Sequence, residues 1–269
     1  MIEAAGRPGG QPTAPALAST VRVFPSAGLV QRAAAELLAD AAVEAVRARG
    51  RFAVALAGGS TPRGAYELLA REPLRVRVPW ADVHVFWGDE RHVPPDHPDS
   101  NYRMAREALL AHVPLPEGNV HRIPAENPDA SAAAAAYEQT LRHVFATSAG
   151  KAPRFDLIFL GMGPDGHTAS LFPRGHAMEE RARLAVAERV ESVGGWRITL
   201  TLPVLNAAAQ VVFLVTGADK APALAMVLGP EGAGSGLPAA LVRPREGRLL
   251  WLVDAPAARL LETGGRPVS

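Results

Sequence analysis

The sequence predicts an α/β domain built on a mainly parallel sheet that is covered on both faces. Three observations carry this expectation. Short, wholly apolar runs recur along the chain, segments with helical spacing alternate with them, and the polar, glycine-rich stretches come directly after the apolar runs. Strands buried on both faces lose the in–out alternation of a half-exposed sheet and read as continuous apolar segments. Their alternation with helices is the pattern of a parallel sheet packed between helical layers.

Residues 29–49 read as a helix, because Leu29, Ala33, Leu37, Ala41 and Val46 keep a near-helical spacing and Gly50 stops the run. Residues 52–57 form a first buried strand that runs into Gly58 and Gly59. Thr61-Pro62 opens a helix that continues through Leu69, since proline suits the first helical position, where its missing N–H has no partner to lose. Residues 83–87 are a second buried strand, and 101–110 and 130–146 are helices. A third strand at 157–160 again runs into glycine, at Gly161 and Gly163. Strands follow at 198–202 and 211–216, then a helix at 218–228, a surface loop at 229–236, a last buried strand at 249–253 and a closing helix at 255–261. No fixed-period repeat interrupts this order.

The elements make one domain over residues 21–263. Residues 1–20 are rich in Ala, Gly and Pro, lack the apolar core of a signal peptide and are read as a disordered tail. Lys and Arg number 28 against 27 Asp and Glu, so no concentrated basic face is offered to nucleic acid. An anionic small molecule needs only a few well-placed cations and stays within reach. The absence of cysteine removes disulfides, thiol nucleophiles and thiolate metal sites, and fits a reducing compartment. No apolar run is long enough to span a bilayer. The expectation is a soluble, cytoplasmic protein with no membrane partner, either a monomer or a weak homo-oligomer.

Four chemically loaded segments follow strands: 58–61, 88–91, 161–167 and 217–220. In an open parallel sheet, such loops meet at the carboxyl edge, where ligands bind. Gly58, Gly59, Ser60 and Thr61 offer close backbone N–H groups, hydroxyls and a helix start, which suits a phosphate. The same residues also suit an ordinary strand-to-helix turn with a hydroxyl cap. Lys220 repeats the arrangement after another strand, either as a second phosphate ligand or as a solvated lysine. Arg91 has the planar fork that suits a phosphate or a developing oxyanion, with Asp89 or Glu90 to orient it; an acid–arginine pair fixing a loop fits equally well. His167 is framed by glycines at a strand end, two residues after Asp165, and histidine is the side chain that takes and returns protons near neutrality. His84, His112, His121 and His143 lie in or beside regular elements and read as structural. His92 and His97 share a loop broken by Pro94, Pro95 and Pro98, which spoils the usual ligand spacing, so no metal is expected.

Residues 57–62, 87–94, 100–110, 160–173, 197–207, 216–220 and 250–254 resemble, in the same order, the motifs of the 6-phosphogluconolactonases, which share a superfamily with the glucosamine-6-phosphate deaminases. The run Gly-Pro-Asp-Gly-His-Thr-Ala-Ser-Leu-Phe-Pro at 163–173 is the most specific of them. The resemblance implies a Rossmann-like three-layer sandwich and hydrolysis of 6-phospho-D-glucono-1,5-lactone without a cofactor. It implies His167 as general base, Arg91 as a neighbouring cation, and Ser60, Thr61 and Lys220 as phosphate ligands, with Arg197 a further candidate. Asp165, or another acid that the sequence does not single out, is expected to hold the imidazole in its useful tautomer. A deaminase carries a glutamate five residues after this histidine, where Phe172 stands here, and an aromatic residue where Arg91 stands. A non-catalytic sugar-phosphate sensor would not need a titratable group at 167.

Overall fold

In the computed structural model, residues 19–261 are described, apart from 149, 192, 193 and 231. The first half of the chain runs β1 (Thr20–Phe24), α1 (Ala27–Arg49), β2 (Phe52–Leu56), α2 (Ser60–Leu69), the single turn α3 (Leu74–Arg77), β3 (Val83–Trp87), β4 (Asp89–Arg91), α4 (Asn101–Ala108) and α5 (Ala130–Phe145). The second half runs β5 (Leu157–Leu160), β6 (Ala185–Val190), β7 (Gly195–Leu200), α6 (Leu202–Leu205), β8 (Gln210–Val215), α7 (Ala221–Leu228), α8 (Pro238–Leu241), β9 (Arg248–Asp254) and α9 (Ala255–Ala258).

The main sheet has six strands in the order β1-β9-β8-β5-β2-β3, and every pairing in it is parallel. β2 and β5 are buried at every position, so both faces are covered, as the apolar runs predict for a three-layer α/β fold. α1 turns Val30, Ala34, Ala35, Leu38, Ala39, Ala42 and Ala45 inward. That mostly alanine stripe lets the helix axis approach its neighbours closely. The helix ends where Gly50 adopts φ 72°, a left-handed conformation that glycine takes without strain, and its N–H closes on the Val46 carbonyl.

The structure departs from the sequence reading in several places. Thr20 already belongs to β1 rather than to a tail; residues 1–18 of the expected tail and the last two positions of the expected domain, 262 and 263, lie outside the described residues. The strand expected at 198–202 is not in the main sheet. It is part of β7, the centre of a separate antiparallel sheet ordered β4-β7-β6. The closing helix is a single turn, the helix from Asn101 ends at Ala108, and the loop at 229–236 contains a 3-10 turn, Gly232–Ser235.

Gly88 is where the two sheets meet. Its N–H donates to the Leu56 carbonyl at the end of β2, and its own carbonyl accepts from Leu200 of the small sheet. β3 thereby passes directly into β4, and the small sheet rises beside the carboxyl ends of the main strands.

Candidate active site

The segment after β5 is tightly built. Thr168 and Leu171 exchange backbone hydrogen bonds of 3.3 and 2.9 Å, closing a two-residue hairpin in which Ala169 takes φ 48°. Buried side chains pin it: Thr168 donates to the Gly161 carbonyl at 2.8 Å, and the Ser170 hydroxyl donates to Asp89 Oδ2 at 2.7 Å. The Ser170 N–H donates to the Thr199 hydroxyl of β7 at 3.2 Å. The hairpin is thus tied to both sheets, and His167 stands at its base.

The His167 imidazole Nδ1 lies 2.6 Å from Asp165 Oδ1, and the His167 backbone N–H donates to the same oxygen at 3.1 Å. Partial burial alone would raise the Asp165 pKa, but these two bonds and the imidazole charge outweigh it and hold the carboxyl below its ordinary range. An ionised carboxylate only accepts, so Nδ1 carries a proton, and in the neutral imidazole the lone pair is then on Nε2. Gly163 makes the arrangement possible, since a Cβ there would sit 2.1 Å from Nδ1 and 2.6 Å from Asp165 Oδ1.

His167 lines a cleft of about 340 Å³ at the carboxyl edge, with Gly58, Gly59, Arg91 and Lys220 on its walls. Five of the nine predicted site residues therefore share one depression, contributed by all four of the glycine-rich segments. The other four do not line it. Thr61 is buried, and its hydroxyl is 2.6 Å from that of Thr216, so it ties the amino end of α2 to the loop after β8. Ser60 is the exposed first residue of α2. Asp165 stands behind His167. Arg197 is the cross-strand partner of Arg91, and its pKa is lowered by burial and by the Arg91 charge. The ammonium of Lys220 pairs with Asp219 at 3.0 Å. Another depression, beside Trp251 and Arg243, is lined by Ser19 at the amino end of β1 and holds none of the predicted residues.

Neither acid after β3 holds the Arg91 guanidinium, which instead donates to the Asp99 carbonyl. Glu90 is buried and accepts from the backbone N–H groups of Arg91, Asn101 and Tyr102 and from the Ser100 hydroxyl, at 2.7–3.1 Å. Burial raises its pKa, and the three N–H donors offset part of that rise. Glu90 is the anchor of the α4 amino end, not a partner for the arginine side chain. Asn101 was missed as a site residue: its amide donates to the Asp89 carbonyl at 3.0 Å and packs so closely on Gly58 that a Cβ there would meet it at 1.9 Å. The rings of His92 and His97 are engaged by backbone groups, with His92 Nε2 2.6 Å from the Asn127 carbonyl and His97 Nδ1 accepting from the Asp99 N–H.

Residues 25–251 match the family of glucosamine-6-phosphate isomerases and 6-phosphogluconolactonases. The chain belongs to this family. Within it, the chain is 44% identical over 238 residues to the 6-phosphogluconolactonase of a Nostoc species, covering 88% of this chain and 96% of that one. A Synechocystis 6-phosphogluconolactonase is 46% identical over 222 residues, covering 81% and 88%. The solved structure of the Trypanosoma brucei 6-phosphogluconolactonase superposes with a TM-score of 0.82 at 29% identity, covering 91% of this chain and 99% of that one. A monomeric glucosamine-6-phosphate deaminase superposes at 0.73 with 20% identity, a likeness of fold alone. The family's three-layer α/β architecture is therefore the architecture of this chain.

Proposed function

We propose that this protein hydrolyses 6-phospho-D-glucono-1,5-lactone to 6-phospho-D-gluconate, the second step of the oxidative pentose phosphate pathway, with water as nucleophile and no cofactor or metal. The observation that carries the proposal is the Asp165–His167 pair at the wall of a cleft that also holds Lys220 and the Gly58-Gly59 turn leading into α2. A lactone is already an activated ester, so general-base assistance to water suffices. His167 Nε2 takes a proton from water as its oxygen bonds to C1 of the lactone. The carbonyl becomes a tetrahedral oxyanion, stabilised by Arg91 or by loop N–H groups. As that intermediate collapses, the bond from C1 to the ring oxygen breaks, and the proton on Nε2 passes to the departing oxygen. Asp165 keeps the proton on Nδ1 throughout.

Lys220 and the N–H groups of Gly59, Ser60 and Thr61 suit the 6-phosphate, with Arg197 beside Arg91 as a further cation. Gly59 has φ 104°, a backbone conformation that only glycine takes without strain, and the turn into α2 depends on it. The deaminase alternative needs a glutamate five residues after the histidine, whereas Phe172 stands there and lies against the imidazole, with ring centroids 4.4 Å apart. A cytoplasmic setting and a monomeric or weakly associating state are part of the proposal; the former is supported by the cysteine-free composition, and no helix among the described residues is long and apolar enough to cross a membrane. The deciding experiment follows fresh 6-phosphogluconolactone by a coupled assay, with glucosamine 6-phosphate as control. Lactone consumption well above the spontaneous rate, with no turnover of the amino sugar, is expected. Binding without turnover would mean a sensor instead.

A further inference from the structure

A single in-plane hydrogen bond fixes one direction of an imidazole but leaves the ring free to pivot about it. The bond from His167 Nδ1 to Asp165 is of this kind. Something else has to set the plane of the ring, and hence where the Nε2 lone pair points. The hairpin that follows supplies it. Thr168 and Leu171 are its last bridged pair, so the next residues outward, His167 and Phe172, are brought face to face by register alone. Their rings stack with centroids 4.4 Å apart and planes 29° from parallel. On its Nδ1–Cε1 edge the imidazole lies against Gly163.

We propose that Phe172 is a positioning residue, which holds the His167 ring plane so that Nε2 faces the cleft. The proposal rests on the lactonase reading for its effect on rate, but not for its effect on the ring. Three contacts act together, in that Asp165 sets the tautomer and one axis, Gly163 limits sliding along the edge, and Phe172 blocks rotation. The hairpin is rigid enough to transmit this, because Thr168 and Ser170 are buried and bonded to both sheets. A flat face matters more than apolar bulk, since a branched aliphatic side chain fills the space without enforcing a plane. Misplacement of a reacting group by about an ångström lowers turnover by up to ~10²-fold.

The test compares Phe172→Leu with Phe172→Tyr, each checked for an intact fold by circular dichroism and thermal unfolding. In Phe172→Leu, kcat is expected to fall roughly ten- to a hundredfold, while the affinity for 6-phosphogluconate stays within about twofold, because the phosphate contacts lie elsewhere. Phe172→Tyr, which restores the flat face, is expected to recover most of the loss. A second readout needs no turnover: carbon relaxation at the His167 Cε1–H bond reports ring order, which is expected to drop in the leucine variant and return in the tyrosine one. Should Phe172→Leu fail to fold, Phe172→Met makes the same comparison. Unchanged ring order and unchanged kcat in the aliphatic variant would overturn the proposal, as would equal losses of kcat and affinity. If the unaltered protein turned over no lactone, the lactonase reading would fail, and the relaxation measurement would still decide the role of Phe172.

Discussion

An imidazole held by a carboxylate through Nδ1 offers only Nε2 to a water molecule, so the two groups next to that contact should fail in different ways when altered. His167→Ala removes the proposed base, and turnover is expected to drop about 10²–10⁴-fold. Binding of 6-phosphogluconate, measured by calorimetry, should change little; near-normal turnover would mean another group is the base. Gly163→Ala keeps both partners but places a methyl 2.1 Å from Nδ1 and 2.6 Å from Asp165 Oδ1, forcing them apart. Its kcat is expected to fall roughly ten- to a hundredfold by misplacement, and steady-state kinetics alongside thermal unfolding would separate this from loss of fold. The pairing of Asp165 with His167 was within reach of the sequence, because they stand two residues apart, but the closeness of Gly163 to both shows only in the fold. The function of Thr61 was out of reach. Its hydroxyl partner, Thr216, is 155 residues away, and no local pattern announces such a pair. Asn101 was overlooked for the same reason, as its importance comes from touching Gly58 and Asp89 across the fold.

Among the elements, the mostly buried strands were the easiest to anticipate: β3 and β5 fall where their apolar runs predict, and β2 within one residue. The small sheet was hard to anticipate because its strands break the usual rules. β4 is the charged tripeptide Asp-Glu-Arg, and its buried residue is Glu90. β6 turns Glu188 inward, where the carboxylate accepts from the His176 and Ala177 N–H groups at 3.2 and 2.6 Å. A three-residue strand whose one inward residue is an acid, and a six-residue strand with an acid among its buried positions, carry little apolar alternation to detect. The segment covering the free side of β3 carries a testable pH dependence. Val120 bridges to Val85, and His121 stacks on Phe86 and lies 3.0 Å from His84 Nδ1. Burial, and then the His84 charge, push the His121 pKa down to about 4. Burial and the Arg51 charge lower that of His84 as well. Between an unfolded value of about 6.5 and the folded one, the unfolded chain binds more protons, so stability present above that range is lost as pH falls through it. The unfolding midpoint is expected to decline from pH 6.5 towards 4, and less steeply in His121→Asn. Parallel curves for the two proteins would assign the acid sensitivity to other groups.

Across the whole molecule, the convergence of the glycine-rich loops was legible because topology, not local detail, sets it: parallel strands deliver their carboxyl ends to one edge. The hydrogen bonds that lock the loops together could not be foreseen. Asp254, at the end of β9, accepts from Gly217 N–H at 3.0 Å and from Ala257 N–H at 2.9 Å, while Thr61 meets Thr216 and Ser170 meets Asp89. A ligand in the cleft thus bears on loops anchored in both sheets and should stabilise the domain as one cooperative unit. At a concentration about 100 times its Kd, 6-phosphogluconate should add about 2.7 kcal/mol. For a domain of roughly this size, where 1 kcal/mol moves Tm by about 2–4 °C, that is a rise of roughly 5–10 °C in a single transition. Lys220 lies in a short 3-10 turn at the surface of the cleft, with the adjacent Asp219 as its charged partner. Lys220→Ala should therefore leave the ligand-free Tm nearly unchanged while cutting affinity ten- to a hundredfold, the range of a hydrogen bond to a charged group worth about 1.5–3 kcal/mol. At the same ligand concentration, then about 1–10 times the weakened Kd, about half or more of the thermal shift should vanish. A shift that survived intact in Lys220→Ala would remove the lysine from the phosphate site, and a ligand that raised only one of two resolved transitions would mean that the cleft and the core unfold separately.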